Sequence, residues 1–155
     1  MGQDRLGQML LREGLITEDQ LNAAIGKQQT LGMRLGSCLI DMGMIEADTI
    51  AKVVGRQLHA KPILENEIRI DPDLIAKIPA EVAVDYDLLP LKAVGERLDV
   101  VIAEPNNYFG LDDLKMRTGF NDVAVYVAPQ ILIRNLIAKH YGQIRATAHP
   151  MGNDA

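Results

Sequence analysis

One segment of this chain occurs twice. Arg5-Leu6-Gly7 returns as Arg34-Leu35-Gly36, a shift of 29, and at that same shift Leu10 meets Leu39, Gly14 meets Gly43, Ile16 meets Ile45 and Gln28 meets Gln57. Leu21 against Ile50 and Ile25 against Val54 keep apolar character. The repeat units are residues 5–28 and 34–57, with five residues between them. A duplicated unit of this length must bury its apolar face against its own copy or against the remainder of the chain, which narrows the folds open to it.

Each unit reads as a helical hairpin. Leu6, Met9 and Leu10 mark a short amphipathic helix that ends at Gly14, where a left-handed residue closes a helix cheaply only if it is glycine. Thr17 and Gln20 form a capping box, so a second helix starts there and presents Leu21, Ala24, Ile25 and Gln28 on one face. The second unit predicts the same pair over 35–42 and 46–58, with Gly43 between them, a weaker cap at Glu46 and Asp48 in the first turn. After His59 the pattern changes. Short helices are expected at 72–77 and 80–86, strands at 88–94 and 97–103 around Gly95-Glu96, a helix at 107–118, a strand at 122–128, and a last helix from Pro129 to about Tyr141. The expected fold class is α+β. Two tandem hairpins give a bundle of short helices over 1–60, followed by an α/β subdomain over 61–142 with a three-stranded sheet and helices on one side. Residues 143–155 read as a flexible tail or linker.

Composition excludes several functions. The 155 residues carry a net charge of −5 and no dense Lys/Arg stripe, so a nucleic-acid polymer is not expected as partner. There is no secretory leader and no apolar run of membrane-spanning length, which predicts a cytoplasmic protein without direct membrane insertion. The one cysteine, Cys38, reads as a small buried filler, and His59, His140 and His149 read as helix-end or tail residues rather than metal ligands. No phosphate loop, Gly-x-Gly-x-x-Gly run, His-Glu-x-x-His or Gly-x-Ser-x-Gly elbow is present. Asp112-Asp113 falls in the first turns of an expected helix, where the dipole accounts for it. The chain is therefore expected not to be an enzyme, and to need neither cofactor nor metal.

Packing explains the repeated apolar positions, but not an arginine in register at the start of both units and a glutamine in register at the end. Arg5 and Arg34 offer a planar fork for phosphate oxygens or a guanine edge. Gln28 and Gln57 offer an acceptor and two donors, and Gly7 and Gly36 let main-chain N–H groups approach a ligand. Two such sets related by a pseudo-twofold axis suit an anionic ligand that is itself twofold, such as a cyclic dinucleotide.

RLGQMLLREGLITEDQLNAAIGKQ and RLGSCLIDMGMIEADTIAKVVGRQ resemble the tandem motif RLGxxLxxxGxIxxxxLxxALxxQ of the MshEN family, including its five-residue spacer. That family comprises the N-terminal domains of type II secretion and type IV pilus assembly ATPases. IDPDLIAKIPAEVAVDYDLLPL, RLDVVIAEPNN and LDDLKMRTG resemble its α/β half, so the likeness extends from Arg5 to about Tyr141. It implies signal transduction through cyclic di-GMP, each motif supplying half of the site. Arg5 and Arg34 would contact guanine or phosphate, and Gln28 and Gln57 would hydrogen-bond the ligand. Leu6, Leu21 and Ile25, with Leu35, Ile50 and Val54, would touch the bases, and Gly7 and Gly36 would give main-chain access. Glu104 would contribute from the α/β half. Ile25, and in the second copy Ile50, Val53 and Val54, depart from the family pattern toward stiffer side chains, which bears on how tightly the second copy holds its ligand. The family's ATPase domain does not follow in this sequence, so an excised N-terminal domain or a stand-alone receptor is expected. The resemblance also implies a second role, docking without nucleotide to an inner-membrane platform protein.

Overall fold

The computed structural model describes the backbone of residues 2–148 and the side chains of residues 5–142. Four helices come first: α1 (Gly2–Arg12), α2 (Glu18–Leu31), α3 (Leu35–Asp41) and α4 (Ala47–Leu58). They form the two expected hairpins. Gly14 and Gly43 take left-handed φ values of 71° and 76°. Around them the same bonds recur one repeat apart. The Leu15 and Met44 amides donate to the carbonyls of Leu10 and Leu39 at 3.0 and 2.9 Å, and Gly14 and Gly43 donate to Leu11 and Ile40. These are Schellman closures that satisfy carbonyls left open at a helix end. The capping box forms as the spacing predicts: the Gln20 amide donates to Thr17 Oγ1 at 3.1 Å, and the Thr17 amide donates to Gln20 Oε1 at 2.9 Å. Glu46, its counterpart at the head of α4, makes no side-chain cap bond.

The hairpins share one aliphatic core of Leu6, Leu10, Ile16, Ala24, Leu35, Cys38, Leu39, Ile50 and Val53. Its centre is a reciprocal contact. A Cβ on Gly7 would lie 3.0 Å from Leu21 Cδ1 and 3.3 Å from Leu35 Cδ2. A Cβ on Gly36 would lie 3.0 Å from Ile50 Cγ2 and 3.4 Å from Leu6 Cδ2. Each glycine thus receives the leucine that precedes its partner glycine. Cys38 is fully buried in this core, and burial, with the charge of Asp41, pushes its thiol above the usual range.

The chain continues through β1 (Lys61–Pro62), a 3-10 turn (Glu65–Glu67), α5 (Pro72–Lys77), α6 (Ala80–Tyr86), β2 (Leu88–Val94), β3 (Arg97–Ile102), α7 (Tyr108–Thr118), β4 (Asp122–Val127) and α8 (Gln130–Ala148). The sheet order is β1-β4-β3-β2. β2 and β3 form an antiparallel hairpin, β4 lies parallel to β3 after the α7 crossover, and β1 lies parallel to β4. Three expectations are corrected. The sheet has four strands rather than three. Its extra strand, two residues long, exists only because Lys61 and Pro62 pair with Tyr126 and Val127, far away in sequence. Helices cover both faces of the sheet rather than one. Leu98, Val100 and Ile102 pack with Leu111 and Leu114 of α7, whereas Leu89, Leu91 and Val101 pack with Leu132, Ile133, Ile137 and Tyr141 of α8. A parallel strand pair joined by a helix buries both sides, which is why β3 reads as a nearly continuous apolar run. Finally, α8 runs to Ala148 instead of ending near Tyr141, since no proline interrupts the chain before Pro150. Residues 149–155, the rest of the expected tail, lie outside the described residues.

The helical and α/β halves meet along a seam where α3 faces the start of α8 and α4 lies beside β1. At the α4 end, the Glu65 amide donates to Asp48 Oδ1 at 2.9 Å. Among the described residues, no helix is long and apolar enough to cross a membrane, and no group of His, Cys, Asp and Glu could hold a metal ion.

Candidate functional site

A cavity of about 200 Å³ opens on this seam. One wall comes from the second repeat: Arg34, Leu35 and Gly36 at the head of α3, and Ile50, Val54 and Gln57 along one face of α4. Leu6 reaches in from the first repeat. The opposite wall is the α/β half, with Ala103 and Glu104 after β3, Ala128 and Pro129 after β4, and Gln130 opening α8. The head of α8, the positive end of its dipole, thus faces the cavity and favours an anion there.

Of the residues that the sequence singles out, Leu6, Arg34, Leu35, Gly36, Ile50, Val54, Gln57 and Glu104 are brought together. Arg5, Gly7, Leu21, Ile25 and Gln28 are not in the lining. Ile25 is 41% exposed and faces away from the core, and Arg5 is also exposed. Gly7 is buried against leucines, and Leu21 packs on the helical core. Both glycines therefore serve first as sites of close helix approach, and Gly36 alone of the two also borders the cavity.

Arg34 is the most constrained polar residue here. Its guanidinium is paired with the Glu104 carboxylate across the seam, so the ion pair joins the two halves. Its Nε–H is buried and has no hydrogen-bond partner. A buried donor without an acceptor is an unfavourable arrangement unless something else fills the role. Burial pushes the Arg34 pKa down, the Asp87 carboxylate opposes that, and Arg134 adds to it. The guanidinium remains charged at any physiological pH. Asp87, held at a left-handed φ of 49°, accepts from Arg134 Nε at 3.0 Å and from the Gln130 side-chain Nε2 at 2.9 Å.

Sequence reasoning missed Ser37, Asp87, Gln130 and Arg134. None follows the repeat, and polar residues at 87, 130 and 134 form no spacing pattern; they meet because α8 packs against the end of α6, and Ser37 joins them because the head of α8 also meets α3.

Comparisons with known proteins agree with this architecture. A family model described as the MshEN domain matches residues 55–147. The chain is 35% identical over 139 residues to the type IV pilus assembly ATPase PilB of Myxococcus xanthus, covering 90% of this chain and 24% of that protein. It is 30% identical over 153 residues to the PilB of Thermus thermophilus, covering 97% of this chain and 17% of that one. It therefore spans a quarter or less of these relatives. Among solved structures, MshE with cdg superposes with a TM-score of 0.58 at 24% identity, covering 88% of this chain and 98% of that chain. The N-terminal domain of XpsE gives 0.58 at 19% identity, covering 89% and 94%. At such identities the two structures share the fold with this chain.

Proposed function

The chain belongs to the MshEN domain family, and from that premise we propose that it is a regulatory domain that binds cyclic di-GMP in the seam cavity. The observation that carries this reading is the buried, unpartnered Nε–H of Arg34, a donor set in the cavity wall beside an already charged fork. A phosphate oxygen or guanine O6/N7 is the acceptor it suits. Glu104, which accepts from Arg34, can turn its carboxylate to the N–H edge of a guanine. Leu6, Leu35, Ile50 and Val54 offer an apolar bed for a base, and Gln57 a hydrogen bond at its edge. MshE, which shares the fold, has been solved with cdg, the same cyclic dinucleotide.

The cavity is smaller than the roughly 300–1,000 Å³ of whole drug-sized sites. It takes one base; the rest of the ring is assigned in this reading to Arg5, Ile25 and Gln28 of the first repeat. In this reading the first repeat binds from the surface and the second from within. The domain would regulate an attached or partner ATPase of the pilus or secretion type in the cytoplasm, without catalysing a reaction itself, as its PilB relatives suggest.

Isothermal titration and thermal melts with cyclic di-GMP test this. Micromolar binding is expected, with a stabilisation of about 2.7 kcal/mol at a ligand concentration near 100 Kd. No heat and no thermal shift at about 100 μM ligand would reject it.

A further inference from the structure

At the seam, two helix starts cap each other. A helix leaves its first amides without intrahelical acceptors, and a side-chain oxygen ordinarily supplied from the residue just before the helix satisfies one of them. α3 lacks such a local cap: Arg34 stands at its N-cap with no side-chain cap bond. Instead the Arg34 amide donates to Gln130 Oε1, from the first residue of α8, at 3.0 Å. In return the Ile131 amide of α8 donates to Ser37 Oγ of α3 at 3.0 Å. Each helix start thus supplies the acceptor that the other needs. Both capping side chains are buried, Gln130 at 7% and Ser37 at 1% exposure. Gln130 is fixed at its other end by donating to Asp87, itself held by Arg134.

From this we infer that Gln130 and Ser37 are positioning residues for the ligand arginine. The inference rests on the proposed cyclic di-GMP site. The side chain of Arg34 reaches Glu104 and the cavity, but where it starts from is decided by its own backbone. That backbone is held on its carbonyl side by the Cys38 amide of its own repeat, but on its amide side by α8. Without the Gln130 acceptor, the Arg34 amide has no partner at the head of α3 and the first turn can fray, moving the guanidinium out of register with the cavity. The Ser37–Ile131 bond does the same for the opposite wall, holding Pro129 and Gln130 in place across the cavity from Gly36. By linkage, a ligand that fixes Arg34 must tighten the paired caps by the factor with which the caps tighten the ligand. α8 is therefore the element that registers occupancy of the cavity.

The test pairs backbone amide exchange by NMR with calorimetric titration of cyclic di-GMP, on the wild type, Gln130→Met, Ser37→Ala and, as a control, Thr17→Ala. Gln130→Met keeps the length of the side chain and removes its acceptor. Ser37→Ala is a mild change that decides the question alone should Gln130→Met fail to fold. Thr17→Ala removes a cap outside the cavity. The expected result is faster exchange at Arg34 in Gln130→Met and at Ile131 in Ser37→Ala, a ten-fold or greater loss of affinity in each, and affinity within two-fold of wild type in Thr17→Ala despite its lower stability. Ligand added to the wild type should slow exchange at both Arg34 and Ile131, which a purely structural seam would not show. Unchanged affinity in variants whose amides have opened would overturn the positioning role while leaving the cyclic di-GMP site intact. A wild type that gives no heat and no change in exchange at either amide on adding cyclic di-GMP would overturn the ligand reading, and this inference with it.

Discussion

The two repeats are nearly interchangeable as sequence and unequal in place. Both bury one leucine completely at the same position: Leu10 and Leu39 have no exposed surface. Both close their first helix with the same glycine geometry, and each glycine takes up the other copy's leucine. Yet the second copy lays its arginine, leucine, glycine and glutamine along a cavity to which the first contributes Leu6, while Ile25 and Arg5 of the first face outward. The difference comes from the α/β half. It docks on α3 and α4, so Glu104 and Gln130 complete a wall on that side. Duplication made two equivalent half-cores; docking laid one of them along a cavity. The β-branched Ile50 and Val54, departures from the family pattern, lie in the cavity itself, where they set the shape of its apolar bed.

The comparison can be broken where the copies are held to be equal. Leu10→Ala and Leu39→Ala should each cost about 3 kcal/mol in denaturant unfolding, because each empties a fully buried position. A large gap between them would mean that the two hairpins do not contribute alike to one core. Gly7→Ala and Gly36→Ala come next. The added methyl meets side chains at 3.0 Å in both, and each change should destabilise by about 1–2 kcal/mol. Gly36→Ala should in addition weaken ligand binding, since it narrows the cavity, and Gly7→Ala should not; equal effects on binding would erase the asymmetry. The smallest effect concerns the caps. Thr17→Ala should cost about 1 kcal/mol in a thermal melt, whereas Glu46→Thr, which gives α4 the cap oxygen it lacks, should add roughly 0.5 kcal/mol.

The local parts of the fold were legible in the residues. The Thr17–Gln20 pair, Gly14 and Gly43, and Asp71-Pro72 before α5 act within a few positions, so the start of α2 and the bounds of α5 and α6 follow from spacing alone, whereas α2 runs on into the spacer to Leu31. The second repeat's polar set was legible because duplication singles it out. What the sequence concealed depends on distant partners. Lys61 and Pro62 have no strand pattern of their own and become β1 only beside β4. The second buried face of the sheet depends on where α7 crosses over. Gln130 and Ser37 look like ordinary polar residues until the heads of α8 and α3 are brought together. Glu104 was found through resemblance, and its pairing with Arg34 only through the fold.

If the second repeat, closed by the α/β half, holds the ligand, Arg34 must matter more to binding than Arg5. Calorimetric titration of cyclic di-GMP into Arg34→Ala and Arg5→Ala, with thermal melts to establish that both remain folded, addresses it most directly. The expected result is a loss of about 30-fold or more for Arg34→Ala, roughly 2 kcal/mol, and a smaller loss for the exposed Arg5. Arg34→Ala binding like the wild type, or Arg5→Ala proving the more damaging of the two, would contradict it.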